Sequence, residues 1–231
     1  VGSSVVNALS EELVAVVRRG GKRYEQRFSR GKSQGAMKSS SKDAEGTGTE
    51  IFFRPDPEIF SSTKFSPKML RESIQTKAYL NPGLRLTFVD EINDEQTEFF
   101  YQDGLIADHK QLLEERKLKA IGDEIFVIEK NDDVNVAVTI CWTEEPKEEF
   151  LSYANGIYTV DGGSHEQGAR QGVVRAIRNW IAVHNVQAKG VKISAEDIRE
   201  GLICLVSVKL PSGRYHVQFQ GQTKGRLNNP E

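Results

Sequence analysis

Residues 203–209 read Ile-Cys-Leu-Val-Ser-Val-Lys, an almost continuous apolar run in a chain of 231 residues. A strand with one face in water alternates apolar and polar residues, whereas a strand covered on both faces stays apolar along its length. The run therefore predicts a strand that is buried on both faces. Upstream, the apolar residues of 166–184 recur with the 3.6-residue period of an amphipathic helix. Together with the β-rich runs at 125–128 and 134–142, they predict a unit of mixed helices and strands.

The first part of the chain predicts a separate set of strands. A β-type run at 13–17, the pair Gly20-Gly21 and a second run at 24–28 form the pattern of a hairpin. Residues 30–48 are crowded with Gly, Ser and Lys, which predicts an exposed loop. A strand resumes at 49–54, where apolar and polar residues alternate before a proline.

Two helices and a pair of strands are predicted between these ends. A helix begins at Pro67, because proline lacks only an N–H that has no partner in a first helical turn. The sequence Asn81-Pro82-Gly83 then stops it. Strands follow at 84–89 and 97–101, and a second helix covers residues 105–115.

Composition and charge exclude several classes of protein. At 38% hydrophobic and 28% charged residues, the chain has the composition of a globular domain. It contains no run near the roughly 18 apolar residues that span a bilayer, so no membrane partner is expected. It begins Val-Gly-Ser-Ser without an initiator Met or a secretory signal, so we expect a piece of a longer, cytoplasmic protein. The formal net charge of −2 means that any nucleic-acid contact must be a local basic patch.

The common motifs for metal and nucleophilic chemistry are absent. Cys141 and Cys204 lie in apolar runs and are predicted to be buried free thiols, and no metal-ligand spacing is present. Gly31-Lys32-Ser33 is not a phosphate-binding P-loop, because glutamine occupies the position of the first glycine. Ser164-His165 is a poor nucleophile and base, because adjacent residues rarely hold that geometry. The glutamates of residues 144–149 are expected to form a solvated loop.

Four short strings are more specific when they are taken in order. They are VGSSVVNALS at 1–10, GTGTEIFFRP at 46–55, DGGSH at 161–165, and EDIREGL at 196–202 combined with GQTK at 221–224. In this order they resemble the ATPase subunit of bacterial type IIA DNA topoisomerases, the gyrase B / topoisomerase IV B family. The resemblance extends over essentially the whole chain and fits gyrase and topoisomerase IV alike. Ser164 stands where the family usually has threonine.

The resemblance implies a fold and an enzyme class. A polar interval at 117–123 predicts a join between two α+β units. Residues 1–117 would be the C-terminal part of a GHKL-type ATPase sandwich, and residues 118–231 a transducer domain with a ribosomal-protein-S5-domain-2-like fold. The parent would be an ATP-dependent isomerase. Its general base and its Mg²⁺ ligand would lie outside this chain, so the chain alone is expected to be inactive.

The resemblance also implies partners. ATP would dimerise two copies of the protein and trap double-stranded DNA, while an A-type partner subunit cleaves the strands. On the helix at 166–184, Arg170, Arg175 and Arg178 cover a polar face of the kind that is usually solvated. The resemblance suggests that Arg170 faces the cavity through which DNA passes, where contacts would be directed to phosphates.

Several residues are predicted to bind the adenine side of ATP. Thr49 and Ile51 alternate on one strand and therefore share a face, and a hydroxyl beside a branched aliphatic chain suits a purine. Core packing explains Ile51 equally well. The resemblance implies that Thr49 reaches adenine, that Ile51 lines a pocket used by some inhibitors, and that Gly48 leaves room beside the base.

The two ends of the chain are predicted to lie near the phosphates. Gly2 lacks a Cβ at a helix start, which suits a phosphate site, although a flexible terminus fits equally well. The resemblance places Val1, Gly2 and Ser3 near the triphosphate. Lys224, in a glycine-flanked loop, could neutralise a γ-phosphate with Gln222 beside it, and the alternative is a solvated surface lysine. In the family this loop reports the nucleotide state, which makes Lys224 and Gln222 the predicted catalytic residues.

Two other functions stay open. One is a different ATPase of the same superfamily, and the other is a structural or interaction module that binds no nucleotide.

Overall fold

The computed structural model describes residues 2–186, 190–211 and 213–230, and the chain divides into two compact units, 1–66 and 67–231. Each unit combines helices and strands, as the predicted α+β class requires. The predicted boundary near residue 117 lies inside the second unit, and the assignment of 1–117 to an ATP-binding domain stays a prediction. No helix among the described residues has the length and apolarity needed to cross a membrane.

The first unit is a short helix followed by a five-stranded antiparallel sheet. The strand order is β3-β2-β1-β5, and β4 also pairs with β2. The elements are α1 (Gly2–Ala8), β1 (Ser10–Arg19), β2 (Lys22–Ser29), β3 (Lys32–Ser33), β4 (Lys38–Ser40) and β5 (Gly48–Pro55). The region predicted as a loop, 30–48, thus contains two short strands. They were missed because β3 and β4 contain only lysine and serine and show no apolar alternation.

The turn between β1 and β2 follows directly from its two glycines. Arg19 pairs with Lys22, so Gly20 and Gly21 form a two-residue hairpin loop. Their φ angles are 61° and 67°. Positive φ at both positions is what a type I′ turn requires, and its twist matches that of the flanking strands. The predicted hairpin is confirmed.

The second unit is built around a five-stranded mixed sheet with the order β11-β10-β12-β9-β8. Its strands are β8 (Phe126–Asn131), β9 (Asn135–Trp142), β10 (Glu149–Ala154), β11 (Ile157–Tyr158) and β12 (Leu202–Lys209). Two separate hairpins are formed by β6 (Leu86–Asp90) with β7 (Glu95–Phe99) and by β13 (Phe219–Gln220) with β14 (Arg226–Leu227). The helices are α2 (Pro67–Tyr79), α3 (Leu105–Arg116), α4 (Ser164–His184) and α5 (Ala195–Arg199).

Strand β12 lies at the centre of this sheet and is buried on both faces, as predicted. Cys204, Val206 and Val208 pack in one apolar cluster with Val173 of α4 and Ile198 of α5. The alternate positions of β12, Ile203 and Leu205, pack in a second cluster with Leu113 of α3. Full burial of one such side chain contributes about 1.5–3 kcal/mol. The sheet therefore fixes α4 on one side and α3 on the other.

A small polar group is enclosed within the second cluster. His109 is fully buried, with Nδ1 2.9 Å from Thr139 Oγ1 and Nε2 3.2 Å from Cys141 Sγ. Burial lowers the pKa of His109 to about 4 and raises the pKa of the Cys141 thiol to about 11. Cys141 and Cys204 are both free and buried, which confirms the prediction.

Candidate functional site

Lys224 is carried on an exposed loop between two short paired strands. Strands β13 and β14 pair Phe219 with Leu227 and Gln220 with Arg226, so residues 221–225 form the loop. Within it Gln222, Thr223 and Lys224 are exposed. The Lys224 Nζ lies 5.7 Å from the centroid of the Phe219 ring, and a cation in that position is attracted by the ring face. The ammonium therefore stands at the surface with only a weak attachment to its own hairpin.

The base of this loop is fastened to the segment that precedes α4. The Asp161 amide donates to the Gly225 carbonyl at 2.8 Å, and the Leu227 amide donates to the Gly162 carbonyl at 3.1 Å. Gly163 forms an isolated parallel bridge with Leu227. Its φ is +146°, and a Cβ there would lie 2.4 Å from the Leu227 carbonyl oxygen. Only glycine fits this approach, so the segment 161–163 and the residues that directly follow Lys224 form one structural junction.

The same segment continues into a hydrogen-bonded network at the start of α4. Glu166 Oε2 accepts from Ser152 Oγ at 2.9 Å, and Glu166 Oε1 accepts from Arg170 Nη2 at 3.0 Å. A Cβ at Gly162 would lie 2.8 Å from Glu166 Oε2, so this carboxylate packs directly on the glycine segment. Glu166 thus contacts three different parts of the fold, and the sequence analysis did not identify it.

His165 belongs to this network and is not the base of a nucleophile. Its Nε2 lies 3.1 Å from Thr159 Oγ1, and Thr159 Oγ1 also lies 2.8 Å from the Ser152 carbonyl oxygen and 2.7 Å from Ser152 Oγ. Burial lowers the pKa of His165, which favours the neutral imidazole. The partner of the ring is therefore Thr159 and not the hydroxyl of Ser164.

Four arginines line one groove between α4 and α5, namely Arg170, Arg175, Arg178 and Arg199. Arg175 and Arg178 are exposed, and neither forms an ion pair within residues 2–186, 190–211 and 213–230. Arg199 Nη1 lies 3.6 Å from Glu148 Oε1. The groove is a local patch of positive charge on a chain whose formal net charge is −2. The composition predicts that any nucleic-acid contact of this chain is such a local basic patch.

Arg170 differs from the two exposed arginines because carboxylates surround it. Its guanidinium pairs with Glu148 and with Glu166 and lies 4.0 Å from the centroid of the Phe150 ring. Glu149 likewise pairs with Arg116. The expectation of a solvated loop is therefore wrong for Glu148 and Glu149, since folding brings arginines of three helices, α3, α4 and α5, to them.

The predicted adenine-side residues lie on β5 of the first unit. Thr49 pairs with Val17 and Ile51 with Ala15 on β1, so both side chains share one face, as predicted. Thr49 is exposed and Ile51 is 53% exposed, so packing in the core of this chain does not account for Ile51. A Cβ at Gly48 would meet no described atom within 4 Å.

The residues predicted near the triphosphate begin the chain. Gly2 and Ser3 are exposed in the first turn of α1, and a Cβ at Gly2 would meet no described atom within 4 Å. Val1 lies outside the described residues. These residues and those of β5 belong to the first unit, whereas Gln222, Lys224 and Arg170 belong to the second.

Comparison with known proteins gives a consistent set of relatives. A family model described as DNA gyrase B matches residues 84–231. The chain is 41% identical over 232 residues to the DNA gyrase B protein of Campylobacter jejuni, covering 99% of this chain and 29% of that protein. It is 33% identical over 231 residues to the B-type subunit of DNA topoisomerase 4 from Mycoplasma capricolum, covering 100% of this chain and 35% of that protein. This chain therefore spans less than two thirds of the length of these curated relatives.

A solved structure extends the similarity to the fold. It is the crystal structure of the 43K ATPase domain of Thermus thermophilus gyrase B in complex with an aminocoumarin. It matches with a TM-score of 0.83 at 35% identity, covering 99% of this chain and 61% of that chain. Both units of the chain are thus included in the match.

Proposed function

The chain belongs to the DNA gyrase B family, and we propose from this that it is part of the ATP-hydrolysing subunit of a type IIA DNA topoisomerase. In the parent protein, ATP binding closes a dimer of two such subunits around double-stranded DNA, so that the dimer acts as a gate for the DNA. ATP hydrolysis then resets this gate. An A-type partner subunit cleaves the DNA. In this proposal residues 1–117 complete the GHKL-type ATP-binding domain, residues 118–231 form the transducer domain, and the parent protein acts in the cytoplasm.

The observation that carries the proposal is the position of Lys224. Its ammonium is exposed on a loop whose base is hydrogen-bonded to the segment leading into α4. Lys224 and Gln222 contact the γ-phosphate of ATP, where a cation stabilises charge that develops during phosphoryl transfer. When that phosphate is lost, the loop loses its partner. The backbone bonds to Asp161 and Gly162 then carry the change toward α4.

Residues of α1 and β5 also fit a nucleotide. Thr49 offers an exposed hydroxyl beside the half-exposed aliphatic chain of Ile51, which suits the edge and the ring of adenine. The packing of the described residues gives no reason for glycine at positions 2 and 48, whereas a nucleotide approaching the backbone does. Val1, Gly2 and Ser3 lie beside the triphosphate in this proposal.

Magnesium is assigned to the parent protein and not to this chain. Within residues 2–186, 190–211 and 213–230, no group of three or more His, Cys, Asp and Glu side chains is arranged as metal ligands. The general base and the metal ligand of the parent lie outside residues 1–231 in this proposal. We therefore expect in this proposal that the chain alone does not hydrolyse ATP.

The arginine groove is the proposed DNA contact of this chain. Arg170, Arg175 and Arg178 line it on α4, and guanidinium groups bind phosphate oxygens without reading base sequence. Such contacts suit an enzyme that must pass any DNA segment through its gate.

DNA-stimulated ATP hydrolysis by the full-length parent protein, assembled with its A-type partner, tests the proposal. Lys224→Ala is compared with wild type and with Lys110→Ala, which removes an exposed lysine on α3. We expect turnover to depend on DNA and to fall by ~10³-fold or more in Lys224→Ala, because a phosphate-clamping cation is lost. The Lys110→Ala enzyme should retain wild-type turnover. Turnover that is indifferent to both DNA and Lys224 would leave a protein of this family fold with some other task.

A further inference from the structure

The guanidinium of Arg170 is held on several sides by its own chain. Glu166 Oε1 accepts from Nε at 3.3 Å and from Nη2 at 3.0 Å. Glu148 Oε1 accepts from Nη1 on another edge. The ring of Phe150 lies 4.0 Å from Cζ, at cation–π distance. The N–H groups with which Arg170 would bind a phosphate are therefore already hydrogen-bonded to two carboxylates, and the Phe150 ring lies against the guanidinium.

These ion pairs are stronger than ordinary surface pairs because they are partly shielded from water. The side chain of Arg170 is 30% exposed, and those of Glu148 and Glu166 are 27% and 17% exposed. Fully exposed pairs contribute little, and attraction between charges grows as water is excluded. Arg175 and Arg178, on the same helix, form no ion pair with any described residue. A phosphate entering the groove thus meets two available cations, Arg175 and Arg178, whereas Arg170 and Arg199 are already engaged by carboxylates.

We propose that Glu148 and Glu166 are positioning residues that hold Arg170 away from DNA, so that this pair of carboxylates sets the affinity of the groove for DNA and its dependence on salt. The inference rests on the proposed function. DNA phosphates must displace two carboxylates before Arg170 can bind them. Arg175 and Arg178 make the first contacts, and Arg170 joins only when the duplex is seated.

The proposal has a specific consequence for salt dependence. Each arginine that neutralises a DNA phosphate releases condensed counterions, which makes binding weaken as salt rises. When Arg170 leaves Glu148 and Glu166, those carboxylates take up cations from solution, and this uptake offsets part of the release. Removing one of the two carboxylate charges reduces the offset. The slope of log affinity against log salt should therefore become steeper, and the affinity for DNA at low salt should rise.

The test measures duplex DNA binding by the full-length parent protein, assembled with its A-type partner, at a series of salt concentrations. Glu148→Gln and Glu166→Gln each remove one charge but keep a carbonyl oxygen that accepts from Arg170. Glu144→Gln is the matched control, because Glu144 is exposed on the same β9–β10 connection and forms no ion pair with a described residue. We expect affinity to rise by about threefold to tenfold in either carboxamide variant, as expected for one charge-assisted hydrogen bond at a partly exposed site. The control should change by less than about twofold.

The same variants are then made together with Arg170→Ala. If Glu166 acts through Arg170, Glu166→Gln does not change DNA affinity once the arginine is gone. Glu148 also pairs with Arg199, so Glu148→Gln is tested in the background that carries both Arg170→Ala and Arg199→Ala. Urea unfolding of each variant shows whether its fold is intact, and the two carboxylates provide independent variants should one of them not fold.

Three results would overturn the proposal. They are unchanged or weaker DNA binding in both carboxamide variants, an equal gain in Glu144→Gln, and a gain in Glu166→Gln that persists in the Arg170→Ala background. If wild type binds DNA and Arg175→Ala weakens that binding while the carboxamides change nothing, the proposed function stands and this inference fails. If wild type does not bind DNA at all, both fail.

Discussion

The amide of Asp161 donates a 2.8 Å hydrogen bond to the carbonyl of Gly225, and this bond ties the loop that carries Lys224 to the segment leading into α4. A Cβ at Gly225 would lie 2.7 Å from the Asp161 carboxylate, so the side chain of Asp161 packs directly on the backbone of Gly225. The arginines of α4 therefore stand on the helix that begins at this junction. A movement of the Lys224 loop has a direct covalent and hydrogen-bonded route to that helix.

The junction should depend strongly on Gly163. Gly163→Ala places a Cβ 2.4 Å from the Leu227 carbonyl oxygen at a φ of +146°, so both backbone strain and a backbone clash result. We expect a loss of about 2–4 kcal/mol in the free energy of unfolding, measured by urea titration. Gly168→Ala, in the interior of α4 with open space around it, should instead stabilise by about 0.5–1 kcal/mol. Equal effects of the two substitutions would contradict the described junction.

Two neighbouring groups, the buried His109 and the partly buried Asp108, should give opposite pH dependences of stability. The pKa of His109 is lowered to about 4, so the unfolded chain binds a proton first and stability falls as pH drops from about 6.5 to 4. Burial raises the pKa of Asp108 to about 6 although Tyr153 donates to it at 3.3 Å, so this group makes stability fall as pH rises from about 4 to 6. The two contributions largely cancel in the native sequence.

Substitution should separate these two contributions. In Asp108→Asn only the histidine contribution remains, and stability should fall by up to about 3 kcal/mol more than in wild type between about pH 6.5 and pH 4. His109→Gln should show the opposite change in slope. Urea unfolding at a series of pH values measures both, and parallel curves for the three proteins would mean that neither group is shifted.

Both cysteine thiols should be inert while the chain is folded. Cys141 and Cys204 have no exposed surface, and burial raises their pKa values to about 11 and about 12, so the reactive thiolate is scarce and inaccessible. An aromatic disulfide reagent at neutral pH should label neither thiol in the native protein. It should label both at once in urea. Rapid labelling of one thiol under native conditions would show that its part of the sheet opens locally.

The exposed arginines of the groove should act as separate phosphate contacts. In the assembled parent enzyme, Arg175→Ala and Arg178→Ala should each reduce the slope of log affinity against log salt by about 0.9, independently of DNA sequence. Binding measured on two duplexes of unrelated sequence checks this. A loss confined to one of the two duplexes would indicate base recognition and not phosphate contact.

Several elements could be predicted because their causes lie within a few residues of each other. The hairpin at Gly20-Gly21 needs two positive φ angles, and two adjacent glycines provide them. The burial of β12 on both faces follows from its unbroken apolar run, and α4 follows from its period. The exposure of Lys224 follows from the glycines around it. The strings that resemble the gyrase B family were also sufficient to identify it.

Other features depend on partners far apart in the chain. Glu148 was expected to be solvated and instead pairs with Arg170, and the segment at 161–163 meets residues 225–227. Periodicity and turn composition report what the backbone does locally, since they depend on dihedral preferences and on which side of an element is apolar. They do not report which charged residues meet, because that depends on how β10, α4 and β14 pack around the central strand. The sequence alone therefore determined the hairpin at Gly20-Gly21, helix α4, strand β12, the family and the exposed lysine. Only the tertiary structure decided that two carboxylates hold Arg170. It also decided that the Lys224 loop is hydrogen-bonded to the segment leading into α4, the helix that carries Arg170.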